Sequence, residues 1–379
     1  MKAFSKCFAV VLTAASLITL GGCAKSTPDN RVATTANWNA RTSTMVEKNY
    51  LDYWQSHKEV AEYGITFKDT SATGYTVSYD TDAAVYTTEF YIEGAYDWKS
   101  AAIPEEYRVP LADSEPVYVY TTSLAISGSY KITATGEEKK FDDVLQTVSK
   151  FRLAGDNLKP VYSRQIIKNT APNSLGTQIL DVAYVQTDSV FETFYNRECT
   201  EALVKQTDNL ADVKEKETKK IKLNDKSGLS IFDNSQLRAA VRAFTMTGGA
   251  SRKFNVVAPQ NGAMQACTAT ITAPVELDRN DEAQKAIITA LDNCSPDDYI
   301  FFDGTPSSGE ESERTYRYNA VALSIEADLK GSDPTCWYST VENNDVNGTR
   351  SVLLRMTTPV AFGLGSLTYS LKALNVESI

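Results

Sequence analysis

Histidine is almost absent from this sequence: His57 is the only one among 379 residues. Serine and cysteine hydrolases of the common kind need a histidine base beside the nucleophile, and catalytic zinc sites commonly use several histidines. The patterns G-x-S-x-G, S-x-x-K, H-E-x-x-H, Walker A and G-x-G-x-x-G are also missing. The sequence therefore argues against these enzyme classes, and it indicates no catalytic residue, metal site or cofactor.

Acid pairs leave one enzyme class open, because glycoside hydrolysis needs only two carboxylates. Asp142 and Asp143 are adjacent, as are Asp297 and Asp298, and Glu310 and Glu311. Neighbouring side chains in a strand point to opposite faces, so solvation is the simpler role for such pairs. A surface hydrolase that acts on carbohydrate through a carboxylate pair remains the alternative function.

An excess of acid also limits the partners. The chain has 48 acidic and 38 basic residues, which gives a net charge of −10. Such a surface does not attract nucleic acid, and anionic lipid headgroups repel it. With 42% hydrophobic and 23% charged residues, the composition is that of a folded protein. We expect a β-rich body over residues 41–379, either undivided or with two subdomains that meet near residues 195–230.

The first residues resemble the precursor of a bacterial lipoprotein. Two lysines precede the apolar stretch 7–20, which is shorter than the roughly 20 residues of a spanning helix. Leu20-Gly21-Gly22-Cys23 follows and is similar to a lipobox, with a branched apolar residue, two small residues and the cysteine that is modified. The resemblance implies that residues 1–22 are a signal peptide and that Cys23 carries the lipid, such as diacylglycerol with palmitate.

This resemblance also implies a location. The protein would be extracytoplasmic and held by its N-terminal lipid on the cell membrane or the outer membrane. An aspartate after the cysteine is the family's retention signal, and Ala24 stands there, which favours the outer membrane in a cell with two membranes. Residues 23–40 are small and polar, so we expect a flexible tether.

Four cysteines remain once Cys7 leaves with the signal and Cys23 is lipidated. They are Cys199, Cys267, Cys294 and Cys336. An even number outside the cytoplasm favours two disulfides, for which three pairings are open. Thiols, as in an anaerobe, are the alternative.

Strand patterns dominate the body. Segments rich in β-branched and aromatic residues recur with turn residues between them, at 75–79, 85–92, 117–135, 161–168, 179–194, 254–258, 264–273, 320–329, 351–357 and 366–374. Residues 141–153 fit either a helix or a strand. The pattern predicts a mainly β fold with minor α (α+β): a large antiparallel sheet or sheets, as a half-barrel or a sandwich, with a few packed helices.

Three helices are predicted, at residues 44–58, 233–246 and 282–291. In the second, Arg238 and Arg242 lie four residues apart, where exposed charges are the commoner interpretation and an anion site the rarer one. Mixed charges at 214–220 indicate a solvated hairpin or helix face. The 20 tyrosines suit a ligand surface as well as ordinary sheet faces.

These observations favour a lipid-anchored, non-enzymatic envelope lipoprotein. Its expected partners are the membrane, through the lipid, and an unknown small molecule, lipid or envelope protein. A half-barrel lipid carrier is a narrower version, in which the helix at 233–246 would cover an apolar cavity.

Overall fold

The computed structural model describes residues 56–70, 74–93, 96–112, 115–154, 157–172, 184–209, 215–223, 229–243, 251–294, 318–327, 335–340, 352–360 and 365–379. The predicted signal peptide, Cys23, the tether, and the acid pairs at 297–298 and 310–311 lie outside these residues. Most of the helix predicted at 44–58 does so as well. Where that prediction enters the described part it is wrong, because His57 and Lys58 begin a strand.

Seventeen strands and two short helices make up the described part of the chain. The strands are β1 (His57–Asp69), β2 (Tyr75–Tyr79), β3 (Val85–Glu93), β4 (Val117–Ile132), β5 (Glu138–Ala154), β6 (Asn157–Pro172), β7 (Tyr184–Tyr195), β8 (Glu201–Asp208), β9 (Glu215–Lys222), β10 (Ile231–Asp233), β11 (Ser251–Ala258), β12 (Ala263–Ile271), β13 (Val275–Glu276), β14 (Asn319–Ala327), β15 (Thr335–Thr340), β16 (Leu353–Val360) and β17 (Gly365–Ser378). The helices are α1 (Leu237–Ala240) and α2 (Glu282–Asp292). The mainly β prediction is confirmed.

All seventeen strands belong to one sheet. The ladder runs from β9 through β8, β7, β6, β5, β4 and β3 to β1, and continues through β17, β16, β15, β14, β12 and β11 to β10. The short strands β2 and β13 add to β4 and β14. Every pairing is antiparallel except that of β10 with β11. The first and last strands of the described chain, β1 and β17, therefore pair near the middle of the sheet.

The long strands β4 and β5 show how the sequence builds the sheet. In β5, odd-numbered residues from Phe141 to Phe151 are buried, while the even-numbered ones are more exposed. This period of two gives each strand one inner and one outer face. The segment at 141–153, left open between helix and strand, is thus a strand. The strand prediction for 117–135 is confirmed as a single strand, β4, whose one edge is shared by β3 and β2.

The helix predicted at 233–246 is wrong at its start. Asp233 ends a strand, and residues 234–236 form a turn. Helical structure covers α1 and a 3₁₀ turn, Val241–Ala243. The buried carboxylate of Asp233 accepts local hydrogen bonds from the turn, and such bonds compete with helix formation.

The third predicted helix is confirmed as α2. Asp281 caps its N-terminus by accepting hydrogen bonds from the backbone of Ala283 and Gln284. The helix buries Ile287, Ile288 and Leu291, and it packs against β17. No helix in the described part is long and apolar enough to cross a membrane.

Gly128 offers a direct test of this packing. A Cβ on Gly128 would meet the ring of Phe141 and the backbone oxygen of Ser78, whereas a Cβ on Gly64 would meet nothing within 4 Å. We expect Gly128→Ala to lower the free energy of unfolding by about 1–3 kcal/mol, the usual cost of overpacking. Gly64→Ala, also in a strand and without a positive φ, is the control and should leave stability nearly unchanged. Urea denaturation measures both, and an equal effect of the two changes would contradict the close approach at Gly128.

Candidate functional site

A polar chain segment lies inside the curved sheet. We call residues 231–243 the inserted segment; it consists of β10, the turn 234–236, α1 and the 3₁₀ turn. Side chains from both halves of the ladder bind it, including residues of β1, β3, β6, β7 and β15. Residues 232–241 are all buried, although five of these ten are polar or charged. Polar groups withdrawn from water in this way need partners inside the protein.

The carboxylate of Asp233 is the best-satisfied group of the segment. It accepts hydrogen bonds from the hydroxyls of Ser163 at 2.7 Å, Tyr195 at 2.5 Å and Ser235 at 2.5 Å, and from the backbone N–H of Ser235 at 2.9 Å. Burial raises the pKa of Asp233, while these hydrogen bonds oppose the shift. Asp233 therefore ties the segment to β6 and β7.

Three amides continue this network toward solvent. Gln165 donates to Asn234 at 2.6 Å, Asn234 donates to Gln260, and Gln260 donates back to Gln165 at 2.7 Å. Each amide donates one hydrogen bond and accepts another, so the three side chains form a closed ring of hydrogen bonds. The result is a fixed polar contact between the inserted segment and β6.

Small hydroxyl residues line the sheet opposite Asp233. Ser149, Ser163 and Thr193 pair with one another across β5, β6 and β7, and all three are fully buried. Ser163 binds Asp233, whereas the hydroxyls of Ser149 and Thr193 have no hydrogen-bond partner in the described part of the protein. Buried hydroxyls of this kind are normally satisfied, so these two suit water or a polar ligand.

The guanidinium of Arg238 is the second polar centre. Its Nη1 donates to the hydroxyl of Tyr86 at 2.8 Å, and the hydroxyl of Tyr338 donates to the Arg238 backbone oxygen at 3.3 Å. Its Nε and Nη2 have no partner among the residues described, and no carboxylate there forms an ion pair with it. An arginine stays charged in a protein, so an isolated cation lies in the interior.

Aromatic rings surround this cation. We call Tyr63, Tyr86, Tyr120, Tyr338 and Tyr369 the tyrosine cluster. All five are buried, and they come from β1, β3, β4, β15 and β17. The centroid of the Tyr86 ring lies 5.4 Å from that of Tyr63, 5.2 Å from that of Tyr369 and 5.7 Å from the Arg238 guanidinium carbon. Burial raises the pKa of every member, so the phenols stay neutral beside the cation.

Arg242 contrasts with Arg238. Its guanidinium binds both carboxylate oxygens of Glu59, at 2.7 and 2.8 Å, and it lies over the ring of Phe90. The side chains of Arg242 and Glu59 are only 9% and 3% exposed. The sequence favoured exposed charges for Arg238 and Arg242, and this interpretation is wrong for both. The helical part of the inserted segment covers only residues 237–243 and lies within the sheet, so both arginine side chains are almost entirely buried.

The four cysteines of the body form no disulfide, contrary to the expectation of two. Cys199, Cys267, Cys294 and Cys336 are buried thiols, as in the alternative. The register separates Cys336 from Cys267, because Cys336 is opposite Leu323, which is opposite Ile271, four residues from Cys267. Four residues of strand span about 13 Å, beyond the roughly 7 Å limit between disulfide Cα atoms.

Neither of two well-buried thiols suits catalysis. Burial raises the pKa of Cys199 to about 12 and that of Cys336 to about 11, so both stay protonated at neutral pH. The three buried acids of the described residues also have separate surroundings: Glu59 pairs with Arg242, Asp233 binds hydroxyls of β6 and β7, and Asp143 lies on β5 near Tyr79. Within this part, no three histidine, cysteine or acidic residues converge as a metal site would require.

Sequence reasoning missed Asp233 and the role of Arg238. The sequence predicts a helix that begins at Asp233, although the run Asp233-Asn234-Ser235-Gln236 between apolar residues is also typical of a turn. The high tyrosine content suits a ligand surface as well as sheet faces, and the structure brings five tyrosines together. These tyrosines lie near Arg238 because strands far apart in the sequence pair with one another, and a local sequence pattern does not predict such pairing.

Replacing Glu59 alone tests the buried ion pair. Glu59→Gln should lower the free energy of unfolding by about 3–5 kcal/mol, because it leaves the Arg242 charge buried without its counter-ion. The double change Glu59→Met with Arg242→Met removes both charges and should cost less. Chemical denaturation at one pH measures the free energies of unfolding of both variants. A double variant as unstable as the single one would show that the two side chains stabilise the protein mainly by packing and not by their charges.

Asp233 predicts an unusual pH dependence. Because its pKa is raised in the folded state, its contribution to stability is present below the unfolded value of about 3.9 and is lost as pH rises through the folded pKa. Relative to the wild type, Asp233→Asn should therefore gain stability as pH rises from about 4 to 7.

Asp281→Asn is the control for this experiment, since the pKa of Asp281 is lowered by hydrogen bonds from Gln284. Its stabilising effect is present above the unfolded pKa and is lost as pH falls through the folded one, so this variant should change in the opposite direction. Urea titrations from about pH 2 to 7, which cover both pH windows, compare the two variants. Parallel curves for the two variants would contradict the raised pKa of Asp233.

The comparisons with known proteins give a distant likeness in structure. No protein-family model matches the chain, and no curated protein matches it. Among solved structures, the chain is similar to a β-barrel-like protein of domain of unknown function DUF1849 from Brucella abortus. The two are 12% identical with a TM-score of 0.39, and the match covers 84% of this chain and 98% of the other.

Proposed function

We propose that this protein is a lipid-anchored, extracytoplasmic lipoprotein whose β-rich body binds a ligand and does not transform it. The observation that carries the binding function is Arg238, a buried cation with two nitrogens that have no partner in the described residues. A buried charge without a counter-ion costs stability, and functional sites commonly accept such a cost. A ligand that completes this site would offset it.

The anchor in this proposal rests on Leu20-Gly21-Gly22-Cys23, which is similar to a lipobox. Cleavage before Cys23 would remove two lysines and change the net charge from −10 to −12. Because anionic headgroups repel such a body, the lipid on Cys23 would supply the attachment. Ala24 next to the cysteine favours the outer membrane if the cell has two membranes, and in a cell with one membrane the lipid would hold the protein on the outer face of the cell membrane.

A ligand that brings a polar group to the inserted segment has more support than an acyl chain held in an apolar cavity. The lipid-carrier version expected a helix at 233–246 covering an apolar cavity. Here α1 has four residues, and the aromatic rings around Arg238 are fully or almost fully buried. Large side chains thus occupy the space beside the segment, and its groups are mainly polar. The carbohydrate hydrolase gains no support from the buried acids, because Glu59, Asp143 and Asp233 have separate partners.

Two measurements on the full-length protein, expressed in a bacterial host, test the proposal. Labelled palmitate should be incorporated into the wild type and the control Cys199→Ser, but not into Cys23→Ser. Native mass spectrometry of the detergent-solubilised protein should then show a bound molecule in addition to the lipid anchor. Label retained by Cys23→Ser would contradict the anchor, and a spectrum with the lipidated chain alone would contradict the ligand.

A further inference from the structure

We propose that Arg238 anchors a binding site for a monocarboxylate carried on an apolar body. This inference rests on the proposed function and names its ligand class. The Arg238 side chain lies within the sheet, and no carboxylate of the described residues pairs with it. An anion is the partner that a buried guanidinium requires.

The nitrogens without partners form one edge of the guanidinium. Nη1 lies on the same side as Cδ, and it already donates to Tyr86. The hydrogens of Nε and Nη2 point along the opposite edge as two parallel donors, and these are the two nitrogens without partners. This fork matches the two oxygens of a carboxylate, which accept its hydrogen bonds side by side.

Gln236 adds a second group of the same kind. It lies two residues before Arg238, its side chain is fully buried, and neither its Oε1 nor its Nε2 has a partner in the described part. A fully buried amide without hydrogen bonds is rare. The inserted segment therefore carries two buried side chains with unsatisfied polar atoms in the described part, the Arg238 guanidinium and the Gln236 amide.

Charge balance selects a monoanion. Arg242 is neutralised by Glu59, so Arg238 contributes the one unpaired positive charge of the inserted segment. A dianion such as a phosphate ester would leave an excess negative charge in the interior, which is unfavourable. Tyr86, Tyr338 and Tyr369 are fully buried near Arg238, so the surroundings of the guanidinium are largely aromatic and suit a ligand with an aromatic or aliphatic body.

Entry requires movement, because Nε and Nη2 are fully buried. The carboxylate would displace neighbouring side chains or shift the inserted segment. Association should therefore be slower than for an open cleft.

Benzoate, its neutral counterpart benzamide, and decanoate are the probes, titrated by calorimetry into the full-length lipidated protein in detergent. We expect both carboxylates, or one of them, to bind more tightly than benzamide. Tighter binding of decanoate would indicate a fatty-acid-like ligand, and tighter binding of benzoate a compact organic acid. Each of these results supports the carboxylate site.

Arg238→Met should weaken binding of the better carboxylate by about 10- to 100-fold, the usual range for a charge-assisted bidentate pair. Arg238→Lys keeps the charge but not the fork, and should weaken binding by about 10-fold. Arg164→Met, at an exposed arginine of β6, is the control and should bind like the wild type. Because removal of a buried unpaired charge is often neutral or stabilising, we expect Arg238→Met to fold, as its thermal unfolding would show.

Equal affinity for benzamide and benzoate, or unchanged affinity in Arg238→Met, would overturn this inference. So would an absence of binding by both carboxylates. If native mass spectrometry then still showed a neutral molecule bound to the protein, the proposed binding function would stand without the carboxylate site. If the spectrum showed no ligand either, both would fail.

Discussion

The structure depends on the withdrawal of a polar segment from water. Residues 231–243 lie inside a sheet whose inner face is built mainly from aliphatic and aromatic side chains, and their charged groups would be costly there without partners. The sheet supplies these partners from strands far apart in sequence. Ser163 and Tyr195 hold Asp233 on one side, and Glu59 holds Arg242 on the other. The path of the segment is thereby fixed at both ends.

Between these ends, the side chains that surround the segment differ in chemical character. Around Asp233 the sheet presents hydroxyls and amides, which satisfy a carboxylate. Around Arg238 it presents phenol rings, whose faces tolerate a cation but do not neutralise it. The carboxylate of Asp233 thus has its hydrogen-bond partners within the protein, whereas Arg238 has two donor nitrogens without a partner in the described residues. This asymmetry, within six residues of chain, is why we place the ligand at Arg238.

Local pattern predicted the strands well and the interior poorly. Runs of β-branched and aromatic residues predicted β3, β4 and β17, and the helix predicted at 282–291 matches α2, because these signals lie within the segments themselves. The pairing of β1 with β17, by contrast, joins opposite ends of the body. Arg238 meets Tyr86 across 152 residues, and Arg242 meets Glu59 across 183. A sequence pattern indicates which residues could be buried, but not which partners they meet there.

The pairing of β1 with β17 also determines when the sheet can finish folding. His57 is opposite Ser378, so the partner strand of β1 is the last of the described strands to be synthesised. Contacts that close so large a loop form slowly. Until β17 arrives, the edges of β1 and β16 are open to other chains, a known route to aggregation. A chain with this topology needs to stay unfolded, or chaperoned, until β17 has been synthesised.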